Sequence, residues 1–196
     1  PSAERVQVGA ATGAGWDRWV FYWSNIERSP GQFDWSRQDA AFLAGADSGL
    51  SIDAILLTTP DAYARAGKLG QPVPDVRNKR PLFESKAAYD KGEAPAEKAQ
   101  CTGAANTYPP RSLNEPVFIG QGGQTVVNPA NHWARFVYAA VQRYKPGGVL
   151  AQAHGLPDSA GVRAWEIWNE PDWDCGHAGG GFGGFFNGTP AEYYQM

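Results

Sequence analysis

Three short apolar runs, separated by helix-like stretches, constrain this chain more than any other feature. Residues 18–22 (RWVFY), 51–57 (SIDAILL) and 162–168 (VRAWEIW) are compact and rich in β-branched or aromatic side chains. Runs of that length bounded by turn residues read as buried strands. After the first come a Ser29-Pro30-Gly31 turn and a helix over 35–48. Asp34 is its expected N-cap, Ala40, Leu43 and Ala44 lie on its apolar stripe, and Gly49 stops it. The second strand halts at Thr58-Thr59-Pro60. A helix over 129–144, opening on Pro129, precedes the third strand and gathers Trp133, Phe136, Val137, Ala140 and Val141 on one side. Thr189-Pro190 open a last helix. Strands alternating with helices imply parallel strands joined by right-handed crossovers. A doubly wound sheet and a (β/α)8 barrel both satisfy that order.

Between 61 and 128 the periodicity is lost, and Pro, Gly, Lys and Glu become frequent, with mixed charge over 77–86. A connection of this length inside one domain is usually functional or an insertion. At 196 residues a single domain, 1–196, is the default. The net charge of -3 and a pI of about 5.6 give no reason to expect nucleic acid or an anionic membrane as partner. No apolar run is long enough for a transmembrane helix. The opening Pro1-Ser2-Ala3-Glu4 has neither an initiator Met nor an apolar signal core, so processing or truncation is expected there. Cys101 and Cys175 leave two readings open, a disulfide that would fit an exported protein or two unpaired thiols. Asn187-Gly188-Thr189 matches a glycosylation sequon, a triplet that also arises by chance.

The chemistry concentrates where the third strand ends, at Asn169-Glu170-Pro171. An acid beside an amide, held at a strand's carboxyl end by a proline, suits general acid chemistry at a barrel mouth. The plainer readings are a surface glutamate and an Asx-type turn asparagine. In a regular strand Glu166 shares parity with Glu170, and as a buried charge it would pair with Arg18. Trp23, Trp168 and Trp173 stand at or just past strand ends, where their faces could serve as stacking surfaces; core packing is the alternative for each. Asp172, Asp174, Cys175 and His177 match no metal-ligand spacing and read as a polar loop. Residues 179–184 satisfy GxGxxG but neither follow a strand directly nor open a helix, so a flexible loop is expected and no cofactor is.

The segment WEIWNEPD (165–172) resembles the strand-four motif of retaining glycoside hydrolases of clan A, family 39-like or family 5-like enzymes built on TIM barrels. Trp16-Asp17-Arg18-Trp19-Val20 resembles the strand-two segment with the clan's active-site arginine. Ile26-Glu27, then Gly31-Gln32-Phe33-Asp34-Trp35-Ser36 and Asp39, resemble the stretch after it. Gly49-Leu50, Thr59-Pro60 and the helix around Trp133, Phe136 and Tyr144 are similar to the segments flanking strand three and preceding strand four. Tyr63 departs from the pattern, since many relatives carry a Trp just after the Thr-Pro.

The resemblance implies an incomplete (β/α)8 TIM barrel with about strands two to four of eight, and strand one missing or reduced to 1–9. It implies that Glu170 is the general acid/base for cleavage of β-glycosidic bonds by double displacement. Asn169 would bind the sugar's 2-hydroxyl, and Arg18 would orient the nucleophile. That nucleophile, a glutamate of strand seven, would lie outside these 196 residues, so the fragment alone is expected to be inactive. The implied partner is an oligosaccharide or glycoside. A non-catalytic carbohydrate-binding barrel that uses Trp173 and Asn169 is the alternative, and a barrel enzyme of other chemistry is a third.

Overall fold

The computed structural model describes residues 3–64, 107–171, 186, 188 and 190–196. Cys101, Cys175, Asp172, Trp173, Asp174, His177, the glycine-rich 179–184, Asn187 and Thr189 lie outside the described residues, so the disulfide, the sequon and the polar loop are not addressed by it.

The chain is a mixed α/β structure around a small parallel sheet. Helix α1 (Ala3–Ala11) leads to strand β1 (Trp16–Tyr22), the single turn α2 (Trp23–Ile26), helix α3 (Ser36–Asp47) and strand β2 (Ser51–Leu57). A hairpin of β3 (Phe118–Gln121) and β4 (Gln124–Val127) precedes helix α4 (His132–Tyr144) and the short α5 (Val149–Ala153). Strand β5 (Val162–Ile167) and the final α6 (Pro190–Tyr194) complete the order. The sheet order is β1-β2-β5, with both pairs parallel as the alternation implied. The described residues form no closed barrel.

Several local expectations are corrected. Residues 1–9 were the place for a reduced first strand, but Ala3–Ala11 is helical. Its sequence AERVQVGAA alternates only over Arg5-Val6-Gln7-Val8, is otherwise rich in good helix formers and carries Glu4 in the first turn. The 129–144 helix starts at His132, because Asn131 caps it: its side chain accepts from the Ala134 amide at 3.0 Å. For α3, Asp34 accepts from the Ser36 amide at 3.0 Å, two residues ahead, while Trp35 occupies the cap position. The long connection holds an antiparallel hairpin that turns on Gly122-Gly123, at φ 58° and 79°. Two glycines with positive φ suit a two-residue hairpin turn, so the signal was in the sequence. Trp168 is not part of β5, which ends at Ile167.

Side chains alternate across the sheet. Trp19 and Phe21, with Ile52, Ala54 and Leu56, and with Trp165 and Ile167, pack against Phe42 of α3 and Trp133, Phe136, Ala140 and Tyr144 of α4. Each large apolar side chain taken from water there contributes about 1.5–3 kcal/mol. Arg143 ties the two helices by donating to both oxygens of Asp39 at 2.7 and 2.6 Å, and Tyr144 donates to the same carboxylate at 2.6 Å. The opposite face is different. Its middle carries Arg18, Asp53 and Glu166, and its carboxyl end carries Val20, Ile55 and Leu57 under Trp168, Phe186, Tyr193 and Met196.

A buried carboxylate organises the chain beyond β1. Glu27 is 1% exposed. It accepts from the Trp23 indole at 2.7 Å, the Gly31 amide at 2.6 Å, the Tyr63 hydroxyl at 2.7 Å and the Arg135 guanidinium. Gly31 sits at φ 81°, a turn conformation that favours glycine. The Glu-turn-Phe-Asp-Trp segment thus folds around one charge whose acceptor capacity is used by four donors.

Candidate active site at the strand ends

The site is built where β1, β2 and β5 end. Register places Asp53 beside Arg18 and Glu166 beside Ile55, so the three charged side chains share one face. Arg18 reaches across β2: its Nε donates to Glu166 Oε1 at 2.8 Å and its Nη2 to Oε2 at 2.6 Å. The same Nη2 lies 3.3 Å from Asn169 Oδ1. A guanidinium only donates, so this contact dictates which end of the Asn169 amide is oxygen and leaves Nδ2 as the outward donor. Glu170 is close enough to raise the Arg18 pKa slightly through its charge, after the larger effect of the Glu166 hydrogen bond.

The corner itself is strained. Trp168 and Glu170 adopt φ 66° and 45°, and Thr58, just past β2, adopts φ 68°. Left-handed backbone in residues other than glycine costs about 1–3 kcal/mol each and persists only where surroundings over-determine it. Here they do. The Trp168 amide donates to Leu56 O at 2.8 Å, the Tyr193 hydroxyl donates to Ile167 O at 2.9 Å, and Ser24 Oγ lies 2.9 Å from Thr58 Oγ1. The strand ends at Ile167 and the turn at Trp168 is left-handed, so regular strand parity does not extend to Glu170. Glu166 does pair with Arg18, but on a half-open face rather than as a buried charge, with side chains 38% and 50% exposed.

Of the residues singled out from sequence, the structure brings Arg18, Asn169 and Glu170 together with Glu166. Glu170 is exposed and Asn169 half-buried. The aromatic residues fare differently. Trp23 is fully buried, stacked on Phe136 and Tyr63, so its face is not offered to a ligand. Trp168 is 2% exposed and packs edge-on to Phe186. Both are core here, because the chain folds back over each strand end. Trp173 lies outside the described residues. Tyr63 is also buried, with its ring on His132 and its hydroxyl on Glu27. Asp53 was missed, although an acid interrupting the apolar run SIDAILL was a visible signal. Among the described residues no group of three or more His, Cys, Asp or Glu side chains is placed to hold a metal. Among them, too, no helix is long and apolar enough to cross a membrane.

The Arg18 pair sets an acid-side dependence. Hydrogen bonding from Arg18, then from Asp53, holds the Glu166 carboxyl down at about 2, below the ordinary value of about 4.3. A carboxyl lowered on folding contributes its full stability above the unfolded value and loses it as pH falls through the folded value. Solvent screening at these exposures keeps the contribution to about 1 kcal/mol or less. Arg18→Gln is therefore expected to flatten the fall in Tm between about pH 4 and pH 2. Thermal melts across that window check it, and an unchanged slope would contradict the role given to Arg18.

Comparison with known proteins finds no matching family model. No curated protein matches the chain at a significant level.

Proposed function

We propose that this chain carries the acid/base side of a retaining glycoside hydrolase of clan A, as about strands two to four of an incomplete (β/α)8 barrel. The observation that carries the reading is Arg18 bridging Glu166 and Asn169 at the strand ends, beside a strained corner that presents Glu170. The sheet supports the barrel half of the proposal. Its strands are adjacent in chain order, and α3 and α4 pack on one face. The other face is lined by charge and covered only at its carboxyl end among the described residues. A doubly wound sheet has helices on both faces, whereas a barrel wall has them on one.

In this reading Glu170 protonates the leaving glycosidic oxygen and then takes a proton from the water that releases the sugar. Its exposure leaves the carboxyl within reach of a ligand. Asn169, its oxygen held by Arg18, offers Nδ2 to the sugar's 2-hydroxyl, a contact that strengthens as the oxocarbenium-like transition state forms. The nucleophile is a second glutamate, on a strand outside these residues, with its carboxyl about 5–5.5 Å from that of Glu170 as retention requires.

The test is hydrolysis of a panel of nitrophenyl β-glycosides. A polypeptide holding residues 1–196 together with the second carboxylate strand is expected to turn over at least one of them. The 196 residues alone are expected to turn over none, and measurable turnover by them would sink the division of the two carboxyls. Sugar binding without hydrolysis in the longer polypeptide would instead favour a non-catalytic carbohydrate-binding protein.

A further inference from the structure

At the centre of the sheet face opposite α3 and α4, Arg18 faces two carboxylates. Arg18 spends Nε and Nη2 on Glu166, and its nearest approach to Asp53 is 3.8 Å, from Nε to Oδ2. Asp53 lies beneath that arch, on the strand between the two partners. Its Oδ1 is buried and no donor among the described residues reaches it. The Asp53 and Glu166 carboxyls flank the same guanidinium on one sheet face, at 3.8 and 2.6 Å from Arg18. Two ionised carboxylates so placed repel, and a single guanidinium already matched to one of them cannot satisfy both.

We propose that Asp53 is a positioning residue that keeps a proton and donates it to Glu166, so that the Arg18–Glu166 pair stays locked and Arg18 stays aimed at Asn169. The proton belongs on Asp53 because that side chain is the less exposed, 18% against 38% for Glu166, and burial disfavours the charged form. The same geometry sets the direction in which the Asp53 carboxyl is moved. Burial, then Glu166, raises the Asp53 carboxyl against the opposing pull of Arg18. The groups facing Asp53 are Arg18 from β1 and Glu166 from β5, with Glu170 acting on Arg18 from the corner.

Loss of that proton has a defined consequence. An ionised Asp53 competes with Glu166 for the guanidinium and draws it away from Asn169, which frees the amide to rotate. The corner is thus aligned while Asp53 is protonated and loosens as pH rises through its folded value. The sign follows from linkage: a carboxyl raised on folding contributes stability below its unfolded value and loses it as pH climbs through the folded one. The use made of this alignment rests on the glycosidase reading; the shared proton does not.

The test uses the 196-residue chain and needs no substrate. Carboxyl carbon-13 NMR titration is expected to show Asp53 titrating above the ordinary value of about 3.9 and Glu166 below about 4.3. Glu166→Gln should bring the Asp53 midpoint down. Asp53→Asn, a neutral mimic of the protonated acid, should melt without the loss of Tm expected of the wild type as pH rises through the Asp53 titration. Ordinary midpoints for both carboxyls would overturn the proposal, even if Asp53→Asn fails to fold. Superimposable Tm–pH curves for wild type and Asp53→Asn would overturn it as well. Failure of glycoside hydrolysis with these titrations intact would instead remove the glycosidase reading and leave the proton on Asp53.

Discussion

Glu170→Ala is expected to lower kcat/KM on nitrophenyl β-glycosides with poor leaving groups by about 10²–10⁴-fold, the usual contribution of a positioned general acid/base. The protein to assay is one that joins these residues to a strand carrying the proposed nucleophile. The loss should be smallest for the best leaving groups, which depart without a proton. Azide should restore turnover and yield a glycosyl azide of retained configuration, because a small anion attacks the glycosyl-enzyme without help from a base. The structure supplies the reasons to choose Glu170 over Glu166. Glu166 is bound by both arms of Arg18 and held at about 2, so it has no proton to give near neutrality. Glu170 is exposed at the corner, with Asn169 beside it. A mutant that keeps its rate on poor leaving groups, or one that azide leaves unchanged, would remove Glu170 from the chemistry.

Glu27→Ala is expected to be the most destabilising substitution in the chain, costing about 3–5 kcal/mol, because removal of one member of a buried ion pair leaves the other charge uncompensated. The cost extends beyond Arg135. The Trp23 indole, the Tyr63 hydroxyl and the Gly31 amide would each lose an acceptor. Arg135 also lies 5.6 Å from the centre of the Phe33 ring and 5.5 Å from that of Tyr63, so its displacement would disturb the aromatic layer beneath it. Glu27→Gln should cost less, since it preserves shape and one of the two acceptor oxygens. Urea denaturation of the three proteins measures both values, and a loss under about 1 kcal/mol for Glu27→Ala would show that the network is not the hub described here.

What was legible in the sequence was the part governed by local pattern. The three parallel strands followed from short runs of Trp, Val, Phe, Ile and Leu, whose bounds held within two residues for β1 and one for β5, and without change for β2. The α3 helix and its glycine stop were legible for the same reason: hydrophobic periodicity and turn chemistry act over a few residues. The α1 helix and the Gly122-Gly123 hairpin were legible too but were passed over, the first because its apolar residues are few, the second because it lies within a long irregular stretch.

Three other matters depended on tertiary packing. Whether a tryptophan at a strand end faces solvent or core is decided by what folds back over it, and that buried Trp23 and Trp168 alike. Whether strand parity carries from Glu166 to Glu170 depends on the backbone past Ile167, which is left-handed at both Trp168 and Glu170. The neighbourhood of Asp53 depends on strand register, which brings residues 18, 53 and 166 onto one sheet face from segments far apart in the chain. The sequence by itself determined which segments become strands and helices, because those preferences are short-ranged. Only the tertiary structure decided which carboxyl keeps a proton and which aromatic face is hidden, because burial and charge pairing are properties of neighbours in space.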